Sequence, residues 1–142
     1  MRKKRLFLWL IPVFVLLAAG AACSRAPKVD LSTPEGVAEQ FIKGQAEGDK
    51  RLVGALLTPA LKAKFQKDKT LYVVERAKLQ KPRLDTKAMQ KTYDTPEAKA
   101  YQLDYRIKAQ NREKPLPMKE AVLVKKQGSN WLIEEYSPDP KV

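Results

Sequence analysis

The sequence predicts an α+β domain in which N-terminal helices pack on a curved antiparallel β-sheet, preceded by a signal peptide and a short tether. Three observations predict it. An uninterrupted apolar run fills residues 6–22 behind four basic residues, capped segments with helical apolar spacing fill residues 33–65, and a strictly alternating segment follows at 101–110. The chain has 142 residues, enough for one core and too few for two compact domains. The expected divisions are a signal over 1–22, a tether over 23–31 and a folded domain over 32–138.

Arg2, Lys3, Lys4 and Arg5 precede the apolar run from Leu6 to Ala22, which ends in Ala18-Ala19-Gly20-Ala21-Ala22. A basic cluster, an apolar stretch and small residues, in that order, make an export signal whose positive end stays cytoplasmic. Cys23, the sole cysteine, follows at once. Gly20-Ala21-Ala22-Cys23 resembles the lipobox of bacterial lipoprotein precursors, with glycine at the position where that family usually has leucine. The resemblance implies cleavage between Ala22 and Cys23, a diacylglyceryl group on the cysteine sulfur and acylation of the new amino group by a chain such as palmitate. Each buried methylene contributes about 0.8 kcal/mol, so two or three chains anchor stably where one does not. Two other readings stay open: Ala19-Gly20-Ala21 also suits an ordinary signal peptidase, and an uncleaved run would be a membrane anchor. Ser24, next to the cysteine, is in the enterobacterial sorting pattern a residue that directs such proteins to the outer membrane, facing the periplasm.

The formal charge is +12, from 28 Lys+Arg against 16 Asp+Glu with no histidine. Four cations belong to the signal, which leaves 24 against 16, a mature balance of +8. Residues 62–91 hold ten basic and three acidic side chains and so carry most of it. Lys62, Lys64, Lys67, Lys69, Arg76, Lys78, Lys81, Arg83, Lys87 and Lys91 can form a basic surface for anionic lipid headgroups, lipopolysaccharide or cell-wall polymer, or a lysine-rich face that serves solubility. An exported protein does not meet nucleic acid.

Ser24 to Asp30 has no apolar period and reads as an extended linker. The first helix begins near Thr33-Pro34, with Thr33 as its cap or with Ser32 and Glu35 as a reciprocal capping pair. Val37, Ala38, Phe41, Ile42 and Ala46 form its apolar face, and Gly48 ends it. Asp49 caps a second helix carrying Leu52, Val53, Leu56 and Leu57. Thr58-Pro59 opens a third, carrying Leu61 and Phe65. Residues 70–82 suit strand or helix, and 84–93 alternate poorly. Tyr101, Leu103, Tyr105, Ile107 and Ala109 then alternate with polar residues as a strand. After a loop over 111–117, Ala121 to Val124 and Trp131 to Ile133 make two more strands joined at Gln127-Gly128-Ser129-Asn130.

The run Thr33 to Phe41, the Gly48-Asp49 break and the hairpin from Val124 to Ile133 resemble small bacterial lipoproteins with a nuclear-transport-factor-two-like domain, over about residues 33–137. The resemblance implies a cone of helices on a strongly curved sheet, often with a pocket at its open end. Relatives include isomerases, dehydratases and ligand carriers, so the fold leaves function open.

Without histidine, imidazole-based dyads, triads and metal sites are excluded, and one cysteine excludes internal disulfides and paired-cysteine metal sites. No phosphate loop or calcium loop is present, so no cofactor or metal is expected. Tyr101, Tyr105 and Trp131 are candidate pocket residues or, alternatively, core residues. Asp104 has opposite parity to the two tyrosines, Tyr93 and Asp94 face apart, and Glu134 and Glu135 suit an outer face, so no acid–base pair stands out. The expected function is a non-enzymatic, lipid-anchored envelope module that binds a small ligand, peptide, anionic polymer or protein partner. The alternative is a small pocket enzyme, isomerase- or dehydratase-like.

Overall fold

The computed structural model describes residues 27–68 and 71–138. The signal segment, Ala22, Cys23 and Lys69 lie outside the described residues.

Helix α1 spans Pro34–Glu47. Of the two capping schemes the structure uses Thr33, whose extended backbone (φ −131°, ψ 142°) aims its hydroxyl to accept the Gly36 N–H at 3.1 Å. Ser32 instead donates its hydroxyl to Asp30, and Glu35 bonds elsewhere. Gly48 ends the helix at φ 71°, a left-handed angle that costs a residue with a Cβ about 1–2 kcal/mol. Asp49 then accepts the amides of Arg51 and Leu52 and starts α2, Lys50–Leu56. Thr58 accepts the Leu61 amide and starts α3, Pro59–Asp68. A single turn, α4, covers Val73–Arg76 and resolves the ambiguous segment as helical at that point.

The second half is a meander of β1 (Arg83–Asp94), β2 (Ala98–Lys108), β3 (Leu116–Gln127) and β4 (Asn130–Ser137), antiparallel and side by side in chain order. Gly128, at φ 63°, makes the tight turn between β3 and β4. Strand β1 occupies the region that alternates poorly. Register shifts after Leu84 and after Lys91 break its parity, and its regular centre turns Lys87, Met89 and Lys91 toward the side of Tyr105, Leu103 and Tyr101. Lys87 and Lys91 do not enter the core. They reach Glu39 at 3.3 Å and Glu35 at 3.8 Å on the flank of α1. Strand β3 begins inside the expected loop, with Pro117 placed where β4 no longer pairs with it, so the missing N–H breaks no ladder on that side.

The helices cover one face of the sheet. Between the layers lie Val37, Phe41 and Ile42 of α1, Leu56 of α2, Leu103 and Ile107 of β2, Val122 and Val124 of β3 and Ile133 of β4, all buried. Tyr101, Tyr105 and Trp131 belong to the same packed cluster. This corrects the fold expected from the nuclear-transport-factor-two-like resemblance. The described residues form a two-layer α+β arrangement on a four-stranded sequential meander, with Tyr101, Tyr105 and Trp131 packed into its core.

Candidate functional site

Two clusters of chemistry-bearing residues stand apart from the ordinary core and surface. The first is a buried carboxyl. Glu120 shares the inner face of β3 with Val122 and Val124 and has no solvent exposure. Tyr105, diagonal to it on β2, donates its hydroxyl to Oε2 at 2.6 Å, and Tyr136, diagonal on β4, donates to Oε1 at 2.7 Å. The Tyr136 ring is fixed by Phe41 and Phe65, with centroids 5.6 and 5.3 Å away. Burial pushes the Glu120 carboxyl above the usual carboxylate range, against the two phenol hydrogen bonds and the positive field of Arg76. Burial and the adjacent Glu120 also push both phenols well above ordinary tyrosine. Each carboxyl oxygen thus has a donor, and none of the described depressions is lined by Glu120. Gln45, two positions from the end of α1 and equally buried, has no hydrogen-bond partner among the described residues.

A second tyrosine–carboxylate pair lies at the rim. Tyr101 donates to Glu35 Oε1 at 2.7 Å, and that bond lowers the Glu35 carboxyl below its ordinary value, helped by Lys91 and Lys99.

The second cluster is a cationic depression of about 360 Å³ lined by Lys81, Arg83, Lys108, Ala109 and Gln110. Arg83 and Lys108 are direct cross-strand partners at the end of the β1–β2 ladder. Like charges placed so destabilise a sheet by a few tenths to about 1 kcal/mol. Lys81 adds a third cation from a left-handed backbone (φ 47°), and Lys78 nearby is also left-handed (φ 50°). The loop is held in that shape by three hydrogen bonds to the end of β2: Gln110 N–H to Gln80 O at 2.8 Å, Gln80 N–H to Asn111 Oδ1 at 2.9 Å, and Asn111 Nδ2 to Lys78 O at 3.0 Å. No acidic residue lines the depression, and none of its three cations makes an ion pair among the described residues. An arrangement that bears both like-charge opposition and backbone strain is suited to an anion, which relieves the first and is framed by the second.

The basic residues expected to form one surface are divided. Lys62, Lys64 and Lys67 are exposed on α3, Lys62 lies over Gly54, and Lys64 shares a depression with Glu134 and Glu135. Arg76 lines a different depression of about 320 Å³ with Phe65, Leu71, Tyr72 and Glu75. Lys87 is engaged by Glu39 of α1, and Lys91 by Asp94 of its own strand at 2.7 Å with Glu35 of α1 at 3.8 Å. Only Lys81 and Arg83, with Lys78 beside them, converge, and Lys108 joins them from a strand outside the basic stretch. Tyr101 and Tyr105 do face inward, but their carboxylate partners come from α1 and β3 rather than from their own strand. Glu120 and Tyr136 escaped the sequence reading. The signal for Glu120 was available, since Met118, Glu120, Val122 and Val124 share one parity and only one of them is polar. Among the described residues no group of three or more acidic or cysteine side chains could hold a metal ion, and no helix is long and apolar enough to cross a membrane.

No protein-family model matches the chain, and no curated protein matches it. Among solved structures it is similar to the solution structure of a SEC-C motif containing protein from Rhodopseudomonas palustris, at 13% identity and a TM-score of 0.49, over 76% of this chain and 80% of that one. No functional property is transferred from it.

Proposed function

We propose that the chain is an acyl-anchored, non-enzymatic binding module of the bacterial envelope, and that the depression at Lys81, Arg83 and Lys108 holds the carboxylate or phosphate groups of an anionic envelope polymer. The anchor rests on the basic, apolar and small-residue order of residues 2–22 and on Cys23 directly after it. The binding role rests on one observation: Arg83 of β1, Lys108 of β2 and Lys81 of the left-handed loop before β1 converge with no counter-ion among the described residues. A guanidinium presents two parallel N–H donors to a carboxylate or phosphate, and the two ammonium groups supply field without fixed geometry. An outer-membrane anchor with the domain facing the periplasm would set this depression within reach of the cell wall.

The test is co-sedimentation of the detergent-solubilised protein with purified peptidoglycan, or with lipopolysaccharide vesicles, at low and high ionic strength. Charge reversal at Lys81, Arg83 and Lys108 together should abolish retention on one of the two, whereas reversal at Lys62, Lys64 and Lys67 should leave most of it. Retention indifferent to salt and to the depression would overturn the binding role. Intact-mass measurement of the mature chain addresses the anchor separately, since an unmodified Cys23 overturns it.

One observation favours the alternative enzyme reading, a phenol 2.6 Å from a carboxyl of raised proton affinity at Tyr105 and Glu120. Against it, both carboxyl oxygens are occupied by phenols.

A further inference from the structure

The depression beside α4 is built differently from the cationic one. Phe65 of α3, Leu71 and the ring of Tyr72 wall a space of about 320 Å³. Phe65 is held from behind, edge-on to Tyr136 with ring centroids 5.3 Å apart, and Tyr136 is in turn tied to Glu120. Tyr72 sits at φ 66° and ψ 67°, a left-handed backbone that is a genuine outlier for an aromatic residue. Strain of this kind persists only where the surroundings enforce it, and it gathers at ligand sites. At this bend Leu71 turns into the core and Tyr72 stays partly buried as a wall, with the Lys50 ammonium 5.3 Å from its ring centroid. The rim carries three charged side chains, Lys50, Glu75 and Arg76. Lys50 is neutralised by an ion pair with Glu75, whereas the exposed Arg76 makes no ion pair among the described residues. The positive field of Arg76 reaches Tyr136 and Glu120, but burial holds Glu120 toward its neutral form, so no full counter-charge comes from that side.

We propose that this depression binds a small monocarboxylate with an apolar body, the carboxylate on Arg76 and the body between Phe65, Leu71 and Tyr72. The charge count selects the ligand. One uncompensated cation matches one negative charge, whereas a phosphate monoester, with nearly two, would bring an unmatched charge against apolar walls. A guanidinium also offers two parallel N–H donors to the two oxygens of a carboxylate. Apolar walls with one placed polar group are the usual make-up of a small-molecule site, and the volume falls at the small end of their range. The site is separate from the depression at Lys81, Arg83 and Lys108, and neither assignment depends on the other.

Isothermal titration calorimetry of the detergent-solubilised protein with phenylbutyrate tests this, every solution being made in the same detergent. Phenylbutanol has the same body without the charge, and acetate the charge without the body. Each should bind at least about tenfold more weakly than phenylbutyrate. Arg76→Gln should weaken phenylbutyrate about tenfold and leave phenylbutanol unchanged, a split that loss of the fold would not produce. Glu75→Gln, which releases Lys50, should tighten phenylbutyrate about twofold or more. Charge reversal at Lys81, Arg83 and Lys108 should alter none of these values. Absence of saturable phenylbutyrate binding, equal affinity for acid and alcohol, or indifference to Arg76→Gln each overturns the proposal. Loss of binding in the triple reversal overturns it too, since the carboxylate would then belong to the cationic depression.

Discussion

Tyrosine and glutamate meet twice in this domain, and the two meetings have opposite electrostatic outcomes. Glu120 accepts two phenol hydrogen bonds and is nonetheless pushed toward its neutral form, whereas Glu35 accepts one and is pushed toward its charged form. Hydrogen bonding acts in the same direction at both. What differs is exposure: Glu120 has none, while the Glu35 side chain keeps about half of its own (48%) beside Lys91 and Lys99. Desolvation outweighs two good donors when burial is complete and loses to one donor when it is not.

The largest test of this contrast is truncation. Glu120→Ala strands two buried phenols and leaves a cavity, and should lower unfolding free energy by about 3–5 kcal/mol in a urea titration. A loss below about 1 kcal/mol would show that water reaches the site.

Next in size is the dependence on pH. The folded-state pKa of Glu120 is raised, so its contribution is complete below the ordinary glutamate pKa of about 4.3 and declines as pH rises from there toward the folded value. That of Glu35 is lowered, so its contribution is present above the ordinary value and lost as pH falls through the folded one. Stability measured by thermal melts should therefore rise out of strong acid and then decline above mildly acidic pH. Glu120→Gln should flatten the decline and leave the acid limb. If the decline persists in that variant, its origin lies elsewhere.

The smallest effect is expected from Glu35→Gln, within about 0.5 kcal/mol at neutral pH, because the pair is solvated and the amide still accepts from Tyr101. It should slightly flatten the acid limb, where Asp30 and Asp94, also lowered by their hydrogen bonds, remain.

The same contrast between covered and open positions explains what the sequence disclosed. Local rules located α1, whose cap at Thr33 and stop at Gly48 depend only on neighbouring residues, and β2, whose alternation from Tyr101 to Ile107 is unbroken. Strand β1 was hidden because two register shifts scramble its parity and two of its three central inward positions are lysines, Lys87 met by Glu39 of a helix about fifty residues earlier and Lys91 by Asp94 and, more distantly, Glu35. Reading the strand from Ala121 rather than from Leu116 left Glu120 outside it. Tyr136 and Lys108 become functional candidates only through pairing partners distant in sequence, Glu120 and Arg83. The cone expected from resemblance failed for a related reason. Caps and turns specify the ends of elements, whereas the packing of Phe41, Tyr101 and Tyr105 between the layers decides whether a cavity remains.

The entry of the chain into the fold has a mechanical consequence. Asp30 is clamped by Gln40, which accepts its N–H at 3.0 Å and donates to its carbonyl at 2.6 Å, and the next residue, Leu31, is bonded to Trp131 at the start of β4. A pull arriving from the N-terminal side is thus borne first by these few bonds and passed to β4 at its hairpin end. They lie one after another along the chain rather than side by side, so they would yield in sequence, lengthening the lead by one or two residues at small force while the helices and the remaining strands stay intact.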